Sequence, residues 1–301
     1  MLVDFHVHST ASDGTFSPTE IVDKAKSQGL SVLALTDHDN CDGVAEFRSC
    51  ASLTSGEDTA SPLVDTASPL GVAGIELSIE PGKGFDKFHL LGLGIDPANA
   101  GLKAFLKRIL DGRNARNERI VANFRRLGID LAQTIFAYAH GEVLARPHFA
   151  RWLMDRGHVK SVAEAFDRYL LPDSPKATRC YEERWHPSQE DAFRAIHEAG
   201  GLCVMAHPKY WRTDWKTTGC DFAAAERELA ALKERGLDGV ETLYQANTGE
   251  ENVAFTRIAT KLGYLKSAGS DFHGANKPRI ALGMEVSEDF IGPLLEALNL
   301  L

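Results

Sequence analysis

Short apolar runs alternate with longer stretches of helical period along most of this chain, and four of the runs end in a cluster of histidine and carboxylate. Leu2-Val3-Asp4-Phe5, Ser31-Val32-Leu33-Ala34-Leu35, Leu202-Cys203-Val204-Met205 and the run over 263–268 read as strands. Directly after them stand His6 and His8, Thr36-Asp37-His38-Asp39, Ala206-His207-Pro208 and Ser270-Asp271-Phe272-His273. Further strands are predicted over 72–78, with Glu76 beside a turn, over 88–95, with His89 near its start, and over 239–243. The capping box Ser17-Pro18-Thr19-Glu20 opens a helix that ends near Gly29, and helical periodicity recurs over 189–199, 222–235 and 251–262. Alternating strands and helices predict a parallel α/β sheet or barrel, whose strand ends gather polar residues into one face.

From Pro97 to about Trp185 the strand signal disappears. The pattern divides the chain into a first barrel part, 1–97, a helical insertion, 98–186, set as a lid, and a second barrel part, 187–301. Ser161-Val162-Ala163-Glu164 reads as a second capping box inside the insertion. One apolar stripe runs Leu102, Phe105, Leu106, Ile109, Leu110, then resumes at Ile120, Val121, Phe124 and Leu127. Arg113, Arg116 and Asn117 occupy the missing positions. Either the helix breaks or is exposed near Gly112, or these groups face a water-filled gap or an anion. At Arg146-Pro147-His148, proline suits the first turn of a helix continuing through Leu153, a place that favours phosphate unless the arginine is simply exposed. Asp58-Thr59-Ala60-Ser61-Pro62-Leu63 recurs as Asp65-Thr66-Ala67-Ser68-Pro69-Leu70 and reads as a tolerated surface loop.

Composition narrows the class. The 301 residues, 44% hydrophobic and 25% charged, suit a globular α/β barrel, and no apolar run is long enough to span a bilayer. A start at Met1-Leu2-Val3-Asp4 lacks the regions of a secretory signal, so a cytoplasmic protein is expected. Cys41, Cys50, Cys180, Cys203 and Cys220 form no close pair, which suits a reducing compartment. A net charge of −9 argues against a duplex-DNA partner. Within that acidic total, the stretch from Lys103 to Arg126 is a basic patch of eight cations against Asp111 and Glu118.

In a strand, residues two apart project from one face, so His6 with His8, and Asp271 with His273, can grip one centre. A single histidine after a strand is more often a hydrogen-bonded side chain than a ligand. Four such places in one chain shift the balance toward metal. Imidazole and carboxylate without thiolate suit zinc, manganese or iron.

Taken in order, His6-Val7-His8-Ser9, Ser12-Asp13-Gly14, Thr36-Asp37-His38-Asp39, Gly74-Ile75-Glu76, His89-Leu90-Leu91-Gly92, Ala206-His207-Pro208 and Gly269-Ser270-Asp271-Phe272-His273 resemble the polymerase-and-histidinol-phosphatase (PHP) family of metal-dependent phosphoesterases. With Arg146-Pro147-His148-Phe149-Ala150-Arg151 after a helical insertion, the chain is most similar to the branch of nucleotide 3',5'-bisphosphate phosphatases and 5'-to-3' exoribonucleases. The resemblance implies a distorted (β/α)7 barrel with two or three divalent ions, the metal being manganese, zinc, iron or magnesium. One ion would take His6, His8, Glu76 and Asp271; a second, sharing Glu76, would take His89 and His207; a third would take Asp13, His38 and His273. Glu76 and His89 enter this set mainly through the resemblance.

The expected chemistry is hydrolysis of a phosphomonoester on a small nucleotide, such as a nucleoside 3',5'-bisphosphate, by a hydroxide bridging two ions. His148 and Lys209 are candidate general acids, and Asp37 and Asp39 candidate orienters of the histidine ligands. Substrate contacts are expected from Arg113, Arg116, Asn117, Arg146, His148, Arg179, Lys209 and Tyr210. Where related sequences carry Gly-Arg-Tyr after Ala-His-Pro, this chain has Lys209-Tyr210-Trp211, a point charge in place of a planar fork. The alternatives are exonucleolytic cleavage of short RNA, histidinol phosphate hydrolysis, amidohydrolase chemistry with Lys266 as the barrel-end lysine, and a non-catalytic metal-binding regulatory module.

Overall fold

The computed structural model describes residues 1–52, 68–80, 86, 88–131, 134–138 and 144–301. The first copy of the repeated hexapeptide lies outside the described residues, and so does the second up to Ser68. The first third of the chain supplies β1 (Leu2–Asp4), α1 (Pro18–Gln28), β2 (Val32–Leu35), α2 (Val44–Cys50), β3 (Leu70–Ile79) and β4 (Phe88–Leu93). The middle supplies α3 (Ala100–Arg126), α4 (Arg146–Asp155) and α5 (Val162–Ala165), with no strand among its described residues. Then come α6 (Gln189–Glu198), β5 (Leu202–Met205), α7 (Trp215–Thr218), α8 (Phe222–Lys233), β6 (Gly239–Tyr244), α9 (Gly249–Lys261), β7 (Leu265–Gly269), β8 (Met284–Glu285) and α10 (Glu288–Ala297).

The capping box at Ser17 is complete, with Glu20 returning its carboxylate to the Ser17 amide. At Ser161 it is half made: Ser161 accepts the Glu164 amide, but the Glu164 carboxylate takes the Lys160 amide instead. The short elements α2 and β8 and the helix α10 have no counterpart in the expected pattern. α2 starts at Gly43 with no side-chain cap, β8 is two residues long, and α10 carries Pro293 in its interior.

The strands form one sheet in the order β7-β6-β5-β4-β3-β2-β1-β8. Beyond β1 the chain turns against β7: the Phe5 amide donates to the Ala268 carbonyl at 3.0 Å and the Asp271 amide to the His6 carbonyl at 2.9 Å, which nearly closes a barrel. The expected all-parallel sheet is corrected in two places, because β4 runs antiparallel to both β3 and β5, and β8 antiparallel to β1. Between β3 and β4 lie only residues 80–87, too few for the crossover a parallel pair requires. The reversal has a functional consequence. β1, β2, β5 and β7 deliver the residues after their C-terminal ends to one rim, β3 brings Glu76 there from within the strand, and β4 delivers its N-terminal end, setting His89 opposite Ser78.

Apolar side chains of the sheet pack against the surrounding helices, as with Ile75, Leu77 and Leu90 against Phe193 and Ile196 of α6. The middle segment has its own core of Ile120, Phe124, Phe149, Leu153 and Leu170. α3 belongs to both. Its first half buries Leu102, Phe105 and Ile109 on the barrel, and its second half enters the middle core. It does not break at Gly112, where a β-carbon would stand 3.4 Å from Trp185. Arg113, Arg116 and Asn117 are therefore buried at the junction of two cores. Among the described residues no helix is long and apolar enough to cross a membrane.

Candidate metal centre

Glu76 sits fully buried on β3 with a ring of imidazoles around it. Its Oε2 lies 3.2 Å from His6 Nε2, 3.2 Å from His8 Nε2 and 3.0 Å from His38 Nδ1. Its Oε1 lies 2.9 Å from His89 Nδ1 and 3.0 Å from His207 Nε2. Each oxygen thus faces a different group of histidines. Asp271 Oδ1 closes the first group at 3.4 Å from His8 Nε2, and Asp13 Oδ1 reaches His273 Nε2 at 3.3 Å. All nine expected ligands fall into three groups whose ligand atoms lie within 4.8 Å of one another: His6, His8, Glu76 and Asp271; Glu76, His89 and His207; and Asp13, His38 and His273 with His8 again in reach.

The donors fit divalent cations on two counts. His6 Nε2, both His8 ring nitrogens, His38 Nδ1, Asp13 Oδ1 and Glu76 Oε2 are buried with no hydrogen-bond partner, which is costly unless something else occupies them. The protonation pattern divides the ring. Burial acts to lower His6 and His38, yet Glu76, Glu241 and Asp271 hold His6 well above its ordinary value and Glu76 and Asp13 push His38 up to about 9, so a cation would displace a proton from each. Burial pushes His8 and His89 down to about 4, so both imidazoles are neutral, as a ligand must be. Burial acts to raise the Glu76 carboxyl, yet His38, His6 and His89 hold it well below the usual range and keep it ionised. These clusters can hold two to three divalent ions.

Backbone strain marks the same rim. Asp39, His207 and Asp271 have φ of 57°, 28° and 62°, unusual for residues with side chains. The orienting partners differ from expectation. Asp37 accepts from the Ser9 amide and from the Ser9 and Ser12 hydroxyls, tying down the loop that carries Asp13. Asp39 accepts from Arg113, from Arg184 at 2.9 Å and from the Ser78 amide. Neither hydrogen-bonds an imidazole. That part falls to Glu241, 2.9 Å from His6 Nδ1, and to the Asp271 carbonyl, 2.8 Å from His273 Nδ1. Glu241 was missed, although a lone carboxylate inside the apolar strand Gly239–Tyr244 is itself a signal that it has a buried partner.

Above the ligand groups opens a cavity of about 900 Å³, lined by Asp13, His38 and His89 on the barrel side and by Arg113, Arg116, Arg146, Tyr181, Arg184 and Trp185 opposite. Arg116 Nε and one terminal nitrogen, Arg113 Nε and one Arg184 terminal nitrogen are buried without partners. Asn117 does not line the cavity; it is buried next to Arg116 in the chain and donates to the Leu144 carbonyl. Arg146 lies over the Tyr181 ring at 5.3 Å. Arg184 and Trp185 were not foreseen, since they sit in an irregular segment without periodicity.

Other expected contacts stand elsewhere. His148 turns Nδ1 back to accept the Ala145 amide and close the start of α4, Lys209 pairs with Glu251 at 2.7 Å, and neither lines the cavity. Arg179 is exposed and donates to the Pro172 carbonyl. Tyr210 stands against His207, ring centres 5.7 Å apart. Lys266 packs over Phe290 of α10, far from the duty of a barrel-end lysine. A fourth group, His197, Cys203 and Asp238, lies toward the opposite end of β5; the Asp238 carboxylate already takes the Cys203 amide and His197, and burial pushes the thiol far above its ordinary value. A protonated thiol is a poor ligand, so this trio is a hydrogen-bonded joint.

A near-closed mixed barrel bearing clustered histidines and carboxylates under an arginine-lined cavity defines a metal-dependent hydrolase of anionic esters. Comparison with known proteins makes the class specific. Residues 4–93 match the PHP domain model. The chain is 34% identical over 273 residues to a 3',5'-nucleoside bisphosphate phosphatase of Chromobacterium violaceum, covering 90% of this chain and 87% of that protein. It is 32% identical over 272 residues to a 5'-3' exoribonuclease of Haemophilus influenzae, covering 90% and 89%. A solved structure described as an amidohydrolase from Chromobacterium violaceum with bound sulfate superposes with a TM-score of 0.79 at 31% identity, covering 98% of this chain and 96% of that one. The chain belongs to the PHP family of metal-dependent phosphoesterases.

Proposed function

We propose that this phosphoesterase removes a phosphoryl group from a small nucleotide carrying a second phosphate, a nucleoside 3',5'-bisphosphate being the substrate class that fits. The observation that carries this reading is the cradle of Arg113, Arg116, Arg146 and Arg184. Arg113 and Arg184 share one buried carboxylate, Asp39, and buried donors of Arg113, Arg116 and Arg184 have no partner. Such a surplus of aimed cations calls for a multiply charged anion. A phosphate at the metals and a second in the cradle supply it, with residues 98–186 acting as the lid.

When bound by the three groups of ligands, divalent ions supply neutralisation of the phosphoryl oxygens and a water of lowered pKa. The protein's own part is positioning. Arg116 and Arg184 hold the remote phosphate, and that binding aligns the ester over the rim. Tyr181 and Trp185 offer ring faces to the base. Glu80, Asp86, Glu182 and Glu183 also line the cavity, and these carboxylates disfavour a phosphodiester chain continuing outward, so a mononucleotide fits better than RNA.

The test is phosphate release by the manganese-loaded protein from a nucleoside 3',5'-bisphosphate, a mononucleotide, histidinol phosphate and a short 5'-phosphorylated RNA. The bisphosphate is expected to be turned over with the highest kcat/KM. Phosphate release from none of the four sinks the proposal, and stepwise release of mononucleotides from RNA replaces it with the exonuclease.

A further inference from the structure

Glu241 is fully buried on β6, and both of its oxygens are committed to the metal centre without being within a ligand group. Oε1 lies 2.9 Å from His6 Nδ1, and Oε2 accepts the His207 backbone amide at 2.6 Å. His6 belongs to the first group of ligands and His207 to the second. One carboxylate therefore touches both halves of the centre from behind.

Each contact has a distinct effect. A carboxylate accepting at Nδ1 puts the His6 proton there and leaves Nε2, 3.2 Å from Glu76 Oε2, with its lone pair toward the metals. At His207 the bond restrains a backbone whose φ of 28° lies outside the ordinary regions, and that conformation aims Nε2 at Glu76 Oε1. Space for the arrangement comes from β7. A β-carbon at Gly269 would stand 2.3 Å from Glu241 Oε1 and 2.5 Å from the His6 β-carbon, so only glycine admits the pair. The β6–β7 register is irregular between Glu241 and Leu243, just where the side chain turns inward.

We propose that Glu241 is a positioning residue that sets the His6 tautomer and the His207 backbone together, coupling two metal groups through one buried carboxylate, with Gly269 as its required neighbour. The inference rests on the metal-dependent reading of the site and not on the choice of substrate. Glutamine at this position keeps one acceptor and loses the other, so Glu241→Gln is expected to weaken zinc and manganese affinity about 10- to 100-fold, the range typical of such outer partners. Metal content after dialysis against buffered free metal measures it, and Gly269→Ala should act in the same direction. Histidine 15N NMR of the zinc-loaded wild type gives a second reading that needs no variant: the His6 proton is expected on Nδ1. Wild-type affinity in a folded Glu241→Gln protein, or a proton on His6 Nε2, overturns the inference alone. A wild type that binds no metal overturns the reading of the site and the inference with it.

Discussion

The barrel rim and the arginine cradle face one cavity but are held in different ways. Except for Asp13, which a loop carries, the expected ligands on the rim stand on or shortly after strands, and the backbone that carries them is fixed by bonds such as Asp271 amide to His6 carbonyl and His8 amide to Phe272 carbonyl. Cradle arginines come from α3, from the first turn of α4 and from an irregular segment, and two of the four are gathered by Asp39 alone. The rim is positioned by a sheet, and half of the cradle by a single carboxylate. On the proposed reading, chemistry that tolerates little displacement is built on the stiffer part, and substrate choice is left to a part that can vary without disturbing the ligand groups.

The comparison is broken most severely at the rim. Asp271→Ala removes a ligand of the first group and also the anchor of Lys277, 2.5 Å away, and of the Tyr244 hydroxyl at 3.0 Å. Loss of a ligand should exceed the 10- to 100-fold typical of outer partners, so activity is expected to fall by at least about 10³-fold, with lower metal content by elemental analysis. Unchanged metal content in this variant and in His8→Ala would contradict the ligand groups.

Asp39→Asn tests whether one carboxylate holds the cradle. Breaking a buried ion pair from one side costs about 3 kcal/mol or more, because the guanidiniums left behind are unpaired. Reduced stability in urea, a raised KM for the bisphosphate and unaltered metal content are expected together. If KM stays at the wild-type value, Arg113 and Arg184 are held by something other than Asp39.

Arg116 should behave in the opposite sense for stability. Burial, reinforced by Arg113, Arg146 and Arg184, pushes its guanidinium down to about 9, so the free protein carries an uncompensated charge. Arg116→Met keeps the volume and removes that charge, and Tm is expected to rise while KM for the bisphosphate rises about 10- to 100-fold, the equivalent of one lost charged hydrogen bond. A mononucleotide lacking the second phosphate should show little change. Equal loss on both substrates would place Arg116 at the reacting phosphate instead.

The same contrast explains what could be read in advance. His6 with His8, and Asp271 with His273, are visible because a strand puts alternate residues on one face and the rim collects strand ends. β4 was legible as a strand but not as a reversed one, since direction is set by the short 80–87 connection rather than by any pattern within residues 88–93. Arg113, Arg116 and Asn117 showed only as a gap in the stripe of α3, and whether that gap meant a break or an anion depended on which two cores the helix joins. Arg184 had no periodic frame at all. Asp39 was assigned to the wrong partner because adjacency to His38 says nothing about where a residue with φ of 57° directs its side chain.

Lys209 gives the mildest and sharpest check on where the cradle stops. It follows the Ala-His-Pro motif and was expected to hold phosphate, yet it donates to Glu251 at 2.7 Å and to the Ala246 carbonyl at 2.8 Å, tying the segment after β5 to α9. Burial acts to raise the Glu251 carboxyl, but the bonds from Lys209 and from the Thr248 amide outweigh it and hold its pKa below the ordinary value of 4.5. A carboxyl depressed in the folded state contributes stability that is full above its unfolded pKa and is lost as the pH falls through the lower folded one. Lys209→Met should therefore lower Tm at pH 7 by an amount corresponding to about 1 kcal/mol, and the difference from wild type should vanish well below pH 4.5. KM for the bisphosphate is expected to stay within about twofold, an effect of under about 0.5 kcal/mol. A tenfold rise in KM would mean that Lys209 leaves Glu251 when substrate binds, and the cradle would then extend across the rim onto β5.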